Sequence, residues 1–217
     1  MSSPTPPSIG VILCSSRQPR VCPQIAAFVT ETIETRTSPS PPDPHAAPPP
    51  PPPPPAHLHT IDLAAWNLPL FDEPNIPSQI TAPSGYSRPH TRAWSQEVRK
   101  HAAFVFVLPQ YNWGYPAVVK NAIDYLFHEW RGKPAMIVSY GGHGGGKAAG
   151  QLRQVLQGVR MHVAETMPAL AFPSERFVLR ASKGEELPLR GDEGIWRSER
   201  AVVREAFEEL MALVSRR

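Results

Sequence analysis

Residues 108–126 read LPQYNWGYPAVVKNAIDYL and follow the apolar run AAFVFV directly. Tyr111, Trp113 and Tyr115 place three rings within five residues, flanked by Pro109 and interleaved with the amides of Gln110 and Asn112. Gly114 and Pro116 suffice to make the turn, so the rings and amides need a separate explanation. Flat faces with amide edges suit a heteroaromatic ring that carries its own donors and acceptors. The alternative is that the rings cap the core or pack a subunit interface.

Two other loops carry polar or glycine-rich text. CSSRQPR, from Cys14 to Arg20, offers the hydroxyls of Ser15 and Ser16 and the guanidiniums of Arg17 and Arg20 just before a helix start. Hydroxyls, guanidiniums and the free N–H groups of a helix N-terminus together form a phosphate cradle, although an ordinary polar turn with solvated arginines has the same composition. SYGGHGGGKAAG, from Ser139 to Gly150, spells three short motifs that fail on inspection. Gly141 to Lys147 has the spacing of a P-loop, but Ala148 replaces the Ser or Thr that would hold magnesium. His143 to Gly146 matches an oxyanion-hole run, but no G-x-S-x-G elbow exists to supply a nucleophile. Gly144 to Ala149 fits a dinucleotide fingerprint, but follows the fourth strand instead of opening the fold. What remains is a stretch in which backbone approaches a ligand closely through Ser139, Tyr140, Gly141, Gly142 and His143, or a flexible turn. An aromatic shelf and a phosphate cradle one βα unit apart favour flavin mononucleotide (FMN), whose isoalloxazine is a ring of the kind the shelf suits.

These loops must be held by a sheet. SIGVILC (8–14), HLHTIDL (57–63), AAFVFVLP (102–109) and KPAMIVSY (133–140) read as strands, and residues 162–172 contain a fifth. Helices are expected at 23–34, 92–101, 116–128, 145–160 and about 193–214, the last with an apolar stripe of Trp196, Val203, Phe207, Leu210 and Val214. Strands alternating with helices imply an α/β three-layer sandwich around a five-stranded parallel sheet. In such sheets ligands bind beyond the carboxyl ends of the strands, where all three loops stand.

The length of 217 residues fits one domain, 1–217. Of its 28 prolines, eight form an unbroken run at 48–55 inside a segment that can neither pair in a sheet nor continue a helix. Residues 37–56 are therefore expected to be a disordered insertion, with docking to a proline-motif-binding partner as the alternative. A net charge of +3 with no basic cluster argues against nucleic acid and for a small anionic ligand. No apolar run nears the ~20 residues of a membrane span, and no secretory signal precedes Cys14 and Cys22, so a reduced cytoplasmic protein is expected. No metal ligands and no acid/base or nucleophile set are assigned; the chemistry falls to a cofactor.

In order along the chain, SSRQPRVCPQIAAFV, DLAAWNLPLFDEP, PQYNWGYPAVVKNAIDYL and SYGGHGGGKAAGQLR resemble the NAD(P)H-dependent FMN reductases of flavodoxin-like fold, a family that includes quinone reductases and azoreductases. The likeness is nearest to fungal quinone reductases and spans nearly everything but the proline segment. It implies that Ser15 and Arg17, with Arg20 nearby, hold the FMN phosphate, that Pro109, Gln110, Tyr111, Asn112, Trp113 and Gly114 line the isoalloxazine, and that Tyr140, Gly141 and Gly142 approach its other edge. It also implies NAD(P)H as co-substrate, a quinone-like acceptor (or azo compounds, free flavin or ferric chelates), and a homodimer or dimer of dimers with flavin at the subunit boundary. Cys14 departs from the family, which usually has glycine there. The alternatives are release of the reduced flavin to a partner oxygenase, a flavin-bound redox sensor acting on a protein partner, and a flavin-free interaction module.

Overall fold

The computed structural model describes residues 5–35, 56–191 and 194–216. The proline-rich insertion expected at 37–56 lies outside them, Ala56 excepted. Four strands coincide with the apolar runs: β1 (Ser8–Leu13), β2 (His57–Asp62), β3 (Ala103–Pro109) and β4 (Pro134–Gly141). The fifth position is shared by two short pieces, β5 (His162–Val163) and β6 (Ala169–Ala171), each paired to a different part of β4. Among the described residues every pairing between these strands is parallel, in the order β2-β1-β3-β4-β5. That is the flavodoxin-like order, and its ligand crevice falls at the β1/β3 switch point.

Helices cover both faces. α1 (Cys22–Glu34), α6 (Glu175–Ser182) and α7 (Glu199–Ser215) close one core. α2 (Leu63–Trp66), α3 (Pro89–Arg99), α4 (Ala117–Asp124) and α5 (Gly146–Gly158) close the other. The central strand β3 is buried throughout because it is covered twice: Ala103, Val105 and Val107 face the first core, Phe104, Phe106 and Leu108 the second. This explains why its sequence is continuously apolar rather than alternating. Gly10 on β1 is the counterpart of Phe104: a Cβ there would stand 2.7 Å from Phe104 Cδ1 and 2.9 Å from Ile61 Cδ1.

Several element limits differ from expectation. α4 stops at Asp124 instead of running to His128, and the chain turns so that Trp130 buries between Trp94, Phe104 and Phe106. The last helix begins at Glu199, not near 193. Trp196 precedes it with φ +65°, yet still enters the core, and its indole N–H donates to Ala171 O at 2.6 Å. α6 has no counterpart among the expected helices.

Candidate active site

Three loops leave the carboxyl ends of β1, β3 and β4 and meet. The first is tied to β3 by Cys14 N–H donating to Val107 O at 3.0 Å. Ser15 is buried, and its Oγ lies 2.6 Å from Tyr111 Oη, bridging the first loop to the second. Gln110 N–H donates to Tyr140 O at 3.3 Å, bridging the second loop to the third.

The second loop is a two-residue hairpin turn. Tyr111 and Gly114 exchange both backbone hydrogen bonds at 2.9 Å, and the central residues Asn112 and Trp113 have φ +45° and +68°. Positive φ at both central positions is the type I′ pattern, which asparagine accepts and glycine prefers at the second position. Trp113 holds that second position against its backbone preference, 61% exposed, with Lys147 Nζ 4.8 Å from its ring centroid. Gln151 Nε2 donates to Trp113 O at 3.2 Å and Gln110 Oε1 accepts from Ala148 N–H at 3.3 Å, so α5 braces the shelf.

In the third loop Gly145 caps α5 with φ +78°. A Cβ there would meet Tyr140 O at 2.9 Å, so the turn needs glycine on both counts. Ser139 is buried and spends its hydroxyl on Gly144 O at 2.7 Å. Gly141 and Gly142 face the cleft. Tyr140 lies under it, in reach of the Cys22 thiol; burial, then that thiol, push its phenol well above the ordinary range. Burial likewise pushes the Cys22 thiol up to about 11.

The two arginines differ. Arg20 makes a paired contact with Asp62, Nη1 to Oδ1 at 2.9 Å and Nη2 to Oδ2 at 2.5 Å, and also donates to Ser15 O. Burial opposes ionisation of Asp62, but Arg20 and the Ala64 N–H outweigh it and hold the carboxyl below its usual range. Arg20 therefore braces the loop while lining the cleft. Arg17 donates through Nε to Pro19 O at 3.2 Å and through Nη2 to Ala181 O and Ser182 O, at 3.1 and 2.8 Å, at the end of α6. Its Nη1 makes no hydrogen bond among the described residues.

The resulting cleft has a volume of about 170 Å³. Nine of the fourteen expected residues line it: Ser15, Arg17, Arg20, Pro109, Gln110, Tyr111, Tyr140, Gly141 and Gly142. Asn112, Trp113 and Gly114 form the adjoining hairpin, Ser139 supports the floor, and His143 sits on the exposed turn beyond. Sequence reading passed over Val21, Phe172, Val178, Ala181 and Ser182 in the wall, and Asp62 behind it. The short α6 had a usable signal, with Phe177, Val178 and Ala181 on one helical face and Gly184 just past its end. The donor set fits a phosphorylated planar ligand: a hydroxyl, a guanidinium, glycine backbone and aromatic faces, with Asp62 already neutralised by Arg20.

A family model described as NADPH-dependent FMN reductase matches residues 7–173. An NAD(P)H-dependent FMN reductase of Schizosaccharomyces pombe is 44% identical over 172 residues, 79% of this chain and 76% of the relative. Another, of Saccharomyces cerevisiae, is 46% identical over 157 residues, 71% of this chain and 76% of its own. Among solved structures, the flavoenzyme NAD(P)H:(acceptor) oxidoreductase of Paracoccus denitrificans superposes with a TM-score of 0.61 at 16% identity, covering 97% of this chain and 98% of its own, which bears on the fold alone.

Proposed function

The chain belongs to the NADPH-dependent FMN reductase family, an oxidoreductase family that uses FMN and NAD(P)H, and from that premise we propose how this cleft serves the reaction. When bound, FMN would supply the hydride chemistry between NAD(P)H and a quinone-like acceptor. The protein's part is to bind, orient and set the local charge.

Ser15, the Nη1 group of Arg17 and the N–H groups opening α1 would hold the phosphate; α1 has no acidic residue in its first turn to oppose an anion. Arg20, locked to Asp62 and Ser15 O, fixes the loop in place. Tyr111 orients the Ser15 hydroxyl, while Pro109, Gln110 and Trp113 offer a shelf for the ring. The N–H groups of the Gly141–Gly142 turn present positive dipole ends where negative charge gathers during the reaction.

The carrying observation is the Ser15–Tyr111 contact, because it joins the phosphate loop to the aromatic shelf across 96 residues of sequence. The cleft is smaller than the roughly 300 Å³ at which drug-sized ligand sites begin. A bound ring would therefore have to reach over the open hairpin, where a second copy of this chain would cover it. The exposed Leu70, Phe71 and Ile76, on the loop bonded to α4 through Phe71 N–H to Asn121 Oδ1 at 2.9 Å, supply apolar surface for such a homodimer. Quinones are the acceptors proposed, with azo compounds, free flavin and ferric chelates as further acceptors. Two free, buried cysteines favour the cytoplasm.

The test is the visible spectrum of the purified protein. A flavin spectrum that bleaches with NADPH or NADH under nitrogen and returns with a quinone is expected. A colourless protein that takes up no added FMN defeats the proposal.

A further inference from the structure

On the sheet away from the cleft, three side chains converge from two elements. His59 comes from edge strand β2, Glu97 from the last turn of α3, and His101 from just beyond that helix. The Nε2 atoms of His59 and His101 lie 3.4 and 3.3 Å from the same oxygen, Glu97 Oε1, and the three ligand atoms fall within 4.8 Å of one another. The two imidazoles are nearly parallel, at 19°, with centroids 5.3 Å apart.

We propose that His59, Glu97 and His101 form a binding site for a divalent transition metal of the zinc class. Imidazole nitrogen and carboxylate oxygen bind zinc at about 2.0–2.2 Å, so tetrahedral neighbours stand roughly 3.3–3.5 Å apart. Both Nε2-to-Oε1 distances have that value. They are long for charge-assisted hydrogen bonds, which close to about 2.7–2.9 Å.

The surroundings carry the features of a metal site's outer shell. Ser8 Oγ stands 2.9 Å from His101 Nδ1, so an Nδ1–H donated to that hydroxyl turns the Nε2 lone pair toward Glu97. Lys100 Nζ holds the other carboxylate oxygen, Oε2, at 2.6 Å, leaving Oε1 to the ion. Glu97 and His101 are buried, whereas the His59 side chain is 59% exposed. His59 is thus free to swing inward, and the exposed side gives an entry path and a fourth position for water.

Two ammonium groups oppose the ion: Lys100, and Lys133, whose Nζ donates to Val98 O at 2.6 Å and sits 5.4 Å from the Phe104 ring centroid. With three protein ligands and two nearby cations, binding is weaker than in a closed four-ligand structural site. A bound ion would clamp β2 to α3.

The experiment is calorimetric titration of zinc chloride into the chelator-stripped, FMN-loaded full chain, paired with its thermal midpoint. One equivalent per chain and a raised midpoint are expected. His59→Gln, a surface change, should weaken binding by more than about tenfold, and Ser8→Ala by about tenfold. His162→Gln, an exposed histidine on β5 at the opposite edge of the sheet, should change neither. Absence of saturable binding in the parent chain, or binding that survives His59→Gln, or equal loss in His162→Gln, overturns the proposal.

Discussion

Replacing Trp113 with glycine should separate stability from ligand binding. In the left-handed region at φ +68°, a non-glycine residue costs about 1–2 kcal/mol, which the substitution returns. Against that, glycine adds about 0.5–1 kcal/mol of unfolded-chain entropy. The exposed contact between Lys147 and the indole, worth about 0.5–1 kcal/mol, is lost. The terms nearly cancel, so unfolding free energy measured by urea denaturation of the apo chain should move by less than about 1 kcal/mol. Loss of ring stacking at about 1.5 kcal/mol corresponds to about tenfold weaker FMN binding, read by quenching of flavin fluorescence. Trp113→Asn, which also accepts this backbone, should behave alike. A variant destabilised by more than about 2 kcal/mol with an unchanged FMN dissociation constant would show that the ring serves the fold and refute the reasoning.

Four further outcomes follow from the same geometry. In a double-mutant cycle on FMN affinity, Ser15→Ala and Tyr111→Phe should each weaken binding about fivefold and couple by about 1 kcal/mol; strict additivity would disconnect the two loops. Because the folded pKa of Asp62 is depressed, its stabilisation is present above the unfolded carboxylate pKa of about 3.9 and disappears as pH falls through the folded value. Asp62→Asn should therefore cost about 1–3 kcal/mol at pH 7 in denaturant melts, with the gap to the parent narrowing in acid; a gap independent of pH contradicts this. Gly145→Ala, at φ +78° and with a Cβ 2.9 Å from Tyr140 O, should lower stability by about 1–3 kcal/mol, checked by calorimetry. The Cys22 thiol, raised to about 11 and buried, should react with a thiol reagent at pH 8 only after denaturant is added; rapid native reaction would place it at the surface.

Much of this could be read from the chain because the informative residues were local. Phe104 to Leu108 and Met136 to Val138 are covered on both faces, so their sequences are unbroken apolar runs, and the polar loops after them stand out by contrast. What escaped depended on distance or brevity. The Arg20–Asp62 pair spans 42 residues and has no sequence period. His59 meets Glu97 and His101 only after β2 and α3 are both in place. α6 has eight residues, too few for its apolar face to dominate a window, and β5 and β6 are shorter still. Trp196 looked like part of a helical stripe because a buried indole fits that spacing even when the backbone turns just before the helix.

The tight fit of Gly10 against Phe104 constrains the order in which descendants of this chain can change. A methyl group at position 10 is blocked while the phenyl ring remains, and trimming the ring first opens a void beside Trp130 and Phe106. Either step alone is harmful, so the two positions are expected to vary together or not at all, like a lock that turns only with both keys.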